Sequence, residues 1–315
     1  MTVSNKMTQL DKIKGYTYGV IASVSYGLNP LFALPLYASG IEVDSVLFYR
    51  YMFAIVLLGI MMVCSGQSFS LKKKEIIPLI LMGLLFSFSS LFLFMSFNYM
   101  DAGIASTILF VYPIIVAVIM TLFFHEHLGR TRIAAIIMAF VGIAMLYKGE
   151  GEATLSLVGV GCVFLSSLVY ALYIVGVNHS ILKTMPGLKL TFYAVLFGSL
   201  VYVVRLRGGA DLQMLHEPLQ WVNAVGLALF PTLISLVTIA KSIRYIGSTA
   251  AAILGALEPL TALVVGVTLF DETLTGANVT GILLILSAVT LIVVGKRGWV
   301  RLKQIWSHIC VADGQ

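Results

Sequence analysis

Ten apolar segments follow one another along this chain, separated only by short polar links. They are Gly15–Tyr37, Ser45–Cys64, Ile76–Phe97, Gly103–Phe124, Ile133–Tyr147, Leu155–Val177, Leu188–Val204, Trp221–Ala240, Gly247–Phe270 and Thr275–Val294. A helix that crosses a bilayer needs about 20 apolar residues. Lipid offers no hydrogen bonds, so each segment must satisfy its own backbone, and a helix does this within one segment. A transmembrane barrel would instead show alternating strands of about 10 residues, and these runs do not alternate. The expectation is an all-α integral membrane protein of ten transmembrane helices. The fifth and seventh segments are short, and their starts can extend outward.

Ten spans consume nearly all of the 315 residues and leave no room for a soluble domain. The composition agrees: 59% of residues are hydrophobic and 11% charged, against roughly 45–50% and about 25% in soluble domains. A cytosolic enzyme, a secreted disulfide scaffold and a disordered chain are excluded on that ground. The net charge of +6 does not point to nucleic acid, because the basic residues sit between the apolar runs. With the N-terminus inside, sixteen of the 20 Lys and Arg residues fall in inner segments, among them Lys72, Lys73, Lys74, Lys183 and Lys241. Only Lys148, Arg205 and Arg207 fall outside, and Arg50 lies within a span. Positive charge gathers on the cytoplasmic side, so both termini, 1–14 and 296–315, are expected in the cytoplasm. The first run is too long for a signal peptide and is read as a span. Lys72–Lys74 form a surface suited to anionic membrane lipid. Cys64, Cys162 and Cys310 form no CxxC pair, so neither a disulfide framework nor a metal site is expected.

The chain also repeats. Tyr99, Pro113, Phe124, Glu126 and Leu128 recur 146 residues later as Tyr245, Pro259, Phe270, Glu272 and Leu274. Earlier in each half, Ser23, Tyr26, Phe48, Tyr49 and Phe53 recur 144 residues later as Ser167, Tyr170, Phe192, Tyr193 and Phe197. The repeats are expected at 15–149 and 155–295. Five spans per repeat is an odd number, so the second half enters the membrane from the opposite side. Such an inverted-topology repeat is a common transporter architecture, with its site near the midplane.

Tyr112-Pro113, Leu257-Glu258-Pro259 and the acidic turns Phe124-His125-Glu126 and Phe270-Asp271-Glu272, together with Arg50 in the second span, resemble the EamA family of the drug/metabolite transporter superfamily. The resemblance runs from about Gly15 to Gly295. It implies a secondary transporter of the plasma (inner) membrane, working without ATP or cofactor. It also implies an exporter of amino acids or related small polar metabolites, with a homodimer among the expected partners. His125 and His127 depart from the pattern; at i, i+2 they do not share a helix face, and a metal is not expected there. A non-transporting membrane protein, such as a lipid-handling flippase subunit or an integral enzyme, is the alternative. The chain has no GxxxxGK[ST] motif and no nucleophile–base constellation, which argues against an enzyme.

Helical spacing selects the residues able to carry transport. Tyr26 and Asn29 share a face of span one, and their counterparts Tyr170 and Tyr173 share a face of span six. Ser89 in span three corresponds to Ser235 in span eight; small hydroxyls also serve as packing residues between spans. Pro30, Pro113, Pro231 and Pro259 lie inside spans, where each frees a carbonyl one turn earlier, for solute or for a hinge, or makes a static kink. Arg50 and Glu258 are the only charges within the apolar cores, and such charges must face protein or water. Glu258, near the midplane, suits a substrate amine or a coupling proton; Arg50 suits a substrate carboxylate or a charge partner.

Overall fold

The computed structural model describes residues 9–124, 130–147 and 156–291. All regular structure among them is helical. Helices α1 (Gln9–Gly27) and α2 (Asn29–Ala38) form the first segment, then come α3 (Val43–Cys64) and α4 (Lys73–Ser96). The fourth segment is divided into α5 (Ala102–Leu109) and α6 (Tyr112–Phe124), followed by α7 (Arg130–Tyr147), α8 (Leu157–His179) and α9 (Gly187–Arg205). Next are α10 (Pro218–Ala228), a π-helical turn over Leu229–Ile234, α11 (Ser235–Leu254), α12 (Leu257–Leu269) and α13 (Gly276–Leu291).

Among the described residues seven helices are long and apolar enough to cross a membrane. Three shorter apolar helices, Ile133–Met145, Leu257–Leu269 and Gly276–Leu291, fall where the fifth, ninth and tenth segments were expected. The chain is therefore a multi-pass membrane protein, while a count of ten goes beyond what helix length establishes. The eighth and ninth segments join within α11, and its two stretches lie side by side, since Gly19 of α1 lies against both Ser242 and Leu254.

Local chemistry explains the ends and breaks. Gly40 (φ 83°) and Gly66 (φ 63°) take the left-handed conformation that closes α2 and α3, which a Cβ would oppose. Pro30 and Pro231 lack the amide that would continue the preceding helix, and the chain breaks or widens beside each. The outward sides are apolar: Ile77, Val204 and Leu157 are all more than 70% exposed, as lipid-facing residues would be. Between helices the contacts are close. A Cβ on Gly83 of α4 would stand 2.8 Å from the Ala194 carbonyl of α9, so only glycine lets these two helices approach so nearly.

Two faces can be defined by their ion pairs and loops. Asp44, in the first turn of α3, receives both Nε (2.6 Å) and Nη2 (2.9 Å) of Arg205 at the end of α9. On the opposite face Tyr193, near the start of α9, donates to the Phe69 carbonyl just past the end of α3, and Lys189 donates to Ser70 O at 2.6 Å. The corresponding helices of the two halves thus run antiparallel. These are called the Arg205 face and the Lys72 face below.

Helix packing repeats across the halves. α4 packs on α8 and α9, and α11 packs on α1, its counterpart arrangement, while α6 packs on α8 as α12 packs on α1.

Candidate functional site

A cavity of about 330 Å³ lies at the helix breaks between the two halves. Tyr26, Asn29, Tyr170, Ser235, Glu258 and Pro259 all line it, so the two tyrosine counterparts do meet in one place. Tyr112, the repeat counterpart of Glu258, lines it too, with Phe110 and Ser106. Its volume is at the lower end of the range for small-molecule sites.

Glu258 stands in the first turn of α12. Its carboxylate takes no hydrogen bond or ion pair from the described residues and faces the cavity. Gly27 approaches the Glu258 carbonyl so closely that a Cβ there would lie 2.5 Å from it, which holds α1 against the start of α12. Asn29 is 4% exposed, and its Oδ1 is buried with no partner. The Glu258 carboxylate is thus an unengaged acceptor at the cavity, and Asn29 Oδ1 is a buried one within its wall; a buried acceptor without a donor is unfavourable. Tyr170 is held edge-on to Tyr112 at 4.8 Å between centroids, which fixes an aromatic wall.

Other candidates lie elsewhere. Tyr173 stacks behind Tyr170 (5.9 Å) and against Phe86 (5.5 Å), and does not line the cavity. Ser89 is spent on packing: Ser166 Oγ donates to the Ser89 carbonyl at 2.7 Å, and the two hydroxyls are 3.1 Å apart. The counterpart of Ser166 is Ala22, which has no hydroxyl, so Ser235 is left without such a tie and faces the cavity with Ala22. Arg50 is 4% exposed and also stands back from the cavity. Its Nε donates to Thr232 Oγ1 (3.3 Å), in the π-helical turn, and its guanidinium lies 5.1 Å from the Phe94 ring centroid. No carboxylate pairs with it among the described residues. Tyr26 is within electrostatic reach of both Arg50 and Glu258.

The expectation that prolines leave free carbonyls for solute is corrected. The carbonyl opposite Pro30, that of Tyr26, accepts from Asn29 Nδ2 at 2.8 Å. That opposite Pro113, Leu109 O, accepts from Ser167 at 3.1 Å, and that opposite Pro231, Leu227 O, accepts from Thr232 at 3.1 Å. That opposite Pro259, Gly255 O, accepts from the Glu258 amide at 2.9 Å. Each freed acceptor is buried, so a nearby donor has been recruited to it. What remains for the four prolines is a hinge or a static kink.

Thr232, Tyr112 and Ser106 were not singled out as site residues from sequence. Tyr112 could have been found, because the 146-residue offset pairs it with Glu258. Nothing in the residue pattern marks Thr232, whose role depends on Arg50 of another helix. No group of three or more potential metal ligands occurs among the described residues, and His125-Glu126-His127 lies outside them. A second cavity, of about 440 Å³, lies on the Arg205 face beside Glu42, Asp44 and Arg205.

A model of the EamA-like transporter family matches residues 13–148 and 157–294. The chain is 25% identical over 261 residues to the uncharacterized transporter YxxF of Bacillus subtilis, covering 80% of this chain and 81% of that protein. It is 25% identical over 193 residues to the uncharacterized transporter YdfC of the same organism, covering 61% of this chain and 63% of YdfC, so the match spans less than two thirds of that relative. A similar match, 28% identical over 209 residues, links 64% of the chain to 61% of the uncharacterized transporter sll1319 of Synechocystis. A solved crystal structure shares the fold with a TM-score of 0.62 at 14% identity, over 90% of this chain and 96% of that one. Two successive matches that together cover almost the whole sequence place this chain in the EamA-like transporter family.

Proposed function

We propose that the protein is a secondary transporter that exports a small amine-bearing metabolite, an amino acid or a related compound, by alternating access. The observation that carries this reading is the unengaged Glu258 carboxylate beside the aromatic wall of one cavity. An ammonium group satisfies the carboxylate, and aromatic faces add cation–π attraction. The largely apolar remainder of the lining, including Leu109, Leu236 and Ile239, suits the carbon skeleton. Tyr26, Tyr170 and Ser235 orient the solute, with Tyr173 and Ser89 supporting the walls. Arg50 supplies positive potential from behind Tyr26 and favours solutes that also carry a carboxylate. Pro30, Pro113, Pro231 and Pro259 are the hinges.

In this reading ten spans form two inverted repeats in the plasma membrane, with the Lys72 face and both termini cytoplasmic. The named relatives are transporters, which favours transport over the enzymatic and lipid-handling alternatives. Flux of a panel of amino acids, amines and carboxylic acids in proteoliposomes tests it. Accumulation of amine-bearing solutes only is the expected result. Flux of no member of the panel, or flux that does not depend on an amine, overturns it.

A further inference from the structure

Closing a cavity towards one side of a membrane needs a contact between the two halves on that side. On the Arg205 face α5 packs along α12. The repeat turns this pair into the end of α11 and α6 on the Lys72 face. There α6 packs on α7 and α8, and Tyr112, Ala251 and Gly255 line the cavity. The α5–α12 contact thus closes the cavity towards the Arg205 face.

The seal has one polar fastening. Asp271 takes the left-handed conformation (φ 53°), and the Glu272 amide returns to the Gly266 carbonyl at 3.1 Å. A residue with a Cβ is strained in that conformation, and such strain gathers at moving or binding segments. The turn sends the Glu272 side chain back across the helix end to the other half of the protein. There its two oxygens accept the amides of Ala102 (2.8 Å) and Gly103 (3.2 Å), the first residues of α5. The carboxyl sits in a slot without side chains: a Cβ on Gly266 would lie 2.0 Å from Glu272 Oε2, and one on Gly103 would lie 2.9 Å from it.

We propose that Glu272 is the latch of the Arg205-face gate, and that release of its carboxyl from the α5 amides is the step that opens the cavity to that face. Among the described residues no other side chain joins the two half-helices by a hydrogen bond. The amides are unsatisfied donors at a helix start, so an acceptor there carries weight. Opening separates α5 from α12 and must break both bonds. Asp101, immediately before α5, stands beside the latch with a buried Oδ2 that has no partner. Burial of Glu272 and then the charge of Asp101 oppose its ionisation, and its carboxyl is pushed up to about 7. Of the elements packed on the latch, α5 carries no titratable group, α12 carries only Glu258 at its far end, and Asp271 adjoins it in the turn.

Gating rests on the alternating-access reading, but it is measurable without any substrate, so failure of the flux panel and failure of the latch are separate results. Ser106 of α5 lines the cavity. Ser106→Cys, in a background lacking the native cysteines, is reacted with a membrane-impermeant maleimide from each side of the membrane. Glu272→Ala should raise labelling from the Arg205 face about fivefold or more. Gly266→Ala, which displaces the carboxyl while leaving it in the chain, should do the same. Glu272→Asp, too short to reach both amides, should fall between. If Gly266→Ala inserts normally and leaves the labelling rate unchanged, Glu272 is not the latch, whatever Glu272→Ala does to folding.

Discussion

Tyr49 and Tyr193, 144 residues apart, make the same bond on opposite faces: Tyr49 donates to the Gln213 carbonyl at 3.1 Å, and Tyr193 to the Phe69 carbonyl, whose residues are themselves 144 apart. Their surroundings match as well. Tyr49 stacks on Phe53 at 6.3 Å and 22°, and Tyr193 on Phe197 at 6.0 Å and 25°. Each tyrosine thus ties the start of one helix to the loop that follows its counterpart. Reciprocal pairs of this kind are what a two-fold relation between repeats produces. Because both bonds exist at once, they brace the structure rather than alternate.

Tyr49→Phe and Tyr193→Phe should therefore each lower stability by about 1 kcal/mol, the typical net worth of a hydrogen bond, and should do so to a similar degree. Thermal unfolding in detergent reads this. Neither should change the side from which the cavity is labelled; a shift in sidedness by either variant would show that the pair moves in the cycle.

Sidedness itself is open to direct test. Single cysteines at Glu42 and Asp211, on the Arg205 face, should react with impermeant reagent added outside intact cells, and one at Ser68 should not. Strong outside labelling at Ser68 would reverse the orientation expected from the Lys and Arg distribution.

Ser89 and Ser235 are counterparts in sequence with different surroundings. Ser89→Ala should cost about 1 kcal/mol of stability, since its hydroxyl meets Ser166, and leave apparent substrate affinity unchanged. Ser235→Ala should do the reverse. Equal effects on both readouts would mean that the cavity assignment of Ser235 is wrong.

Glu258→Gln keeps the shape of the side chain and removes its charge. Normal membrane insertion with flux of an amine substrate reduced tenfold or more (about 1.4 kcal/mol in binding terms) is the expected outcome. Wild-type flux in that variant would make Glu258 a packing residue.

Acidity should act on the gate. In the latched state the Glu272 carboxyl binds its proton up to about pH 7, whereas a solvated carboxyl releases it near its ordinary 4.5. The latched state is then the one that holds the proton, so closure is favoured at low pH and weakens as pH rises from about 4.5 to about 7. Labelling of Ser106→Cys from the Arg205 face should climb through that window. Glu272→Gln, which has no proton to lose, should flatten the climb; an identical pH profile would assign it to another group.

Much of this protein is legible in its residues alone. Lipid leaves the chain one solution per apolar segment, so helices follow from hydropathy. The two register offsets identify the repeat, and they brought Tyr26, Tyr170 and Glu258 forward as counterpart or exceptional residues on inward faces. Tertiary structure decided what depends on a neighbour from another helix. Ser89 and Ser235 cannot be told apart until Ser166 and Ala22 are placed opposite them. The proline carbonyls look free until Asn29, Ser167 and Thr232 are found bonded to them. Arg50 reads as a site residue until it is seen to stand behind the cavity. The bonds from the Ala102 and Gly103 amides to Glu272 are likewise invisible in the sequence, because 170 and 169 residues separate the partners and only the packing of α5 on α12 brings them together.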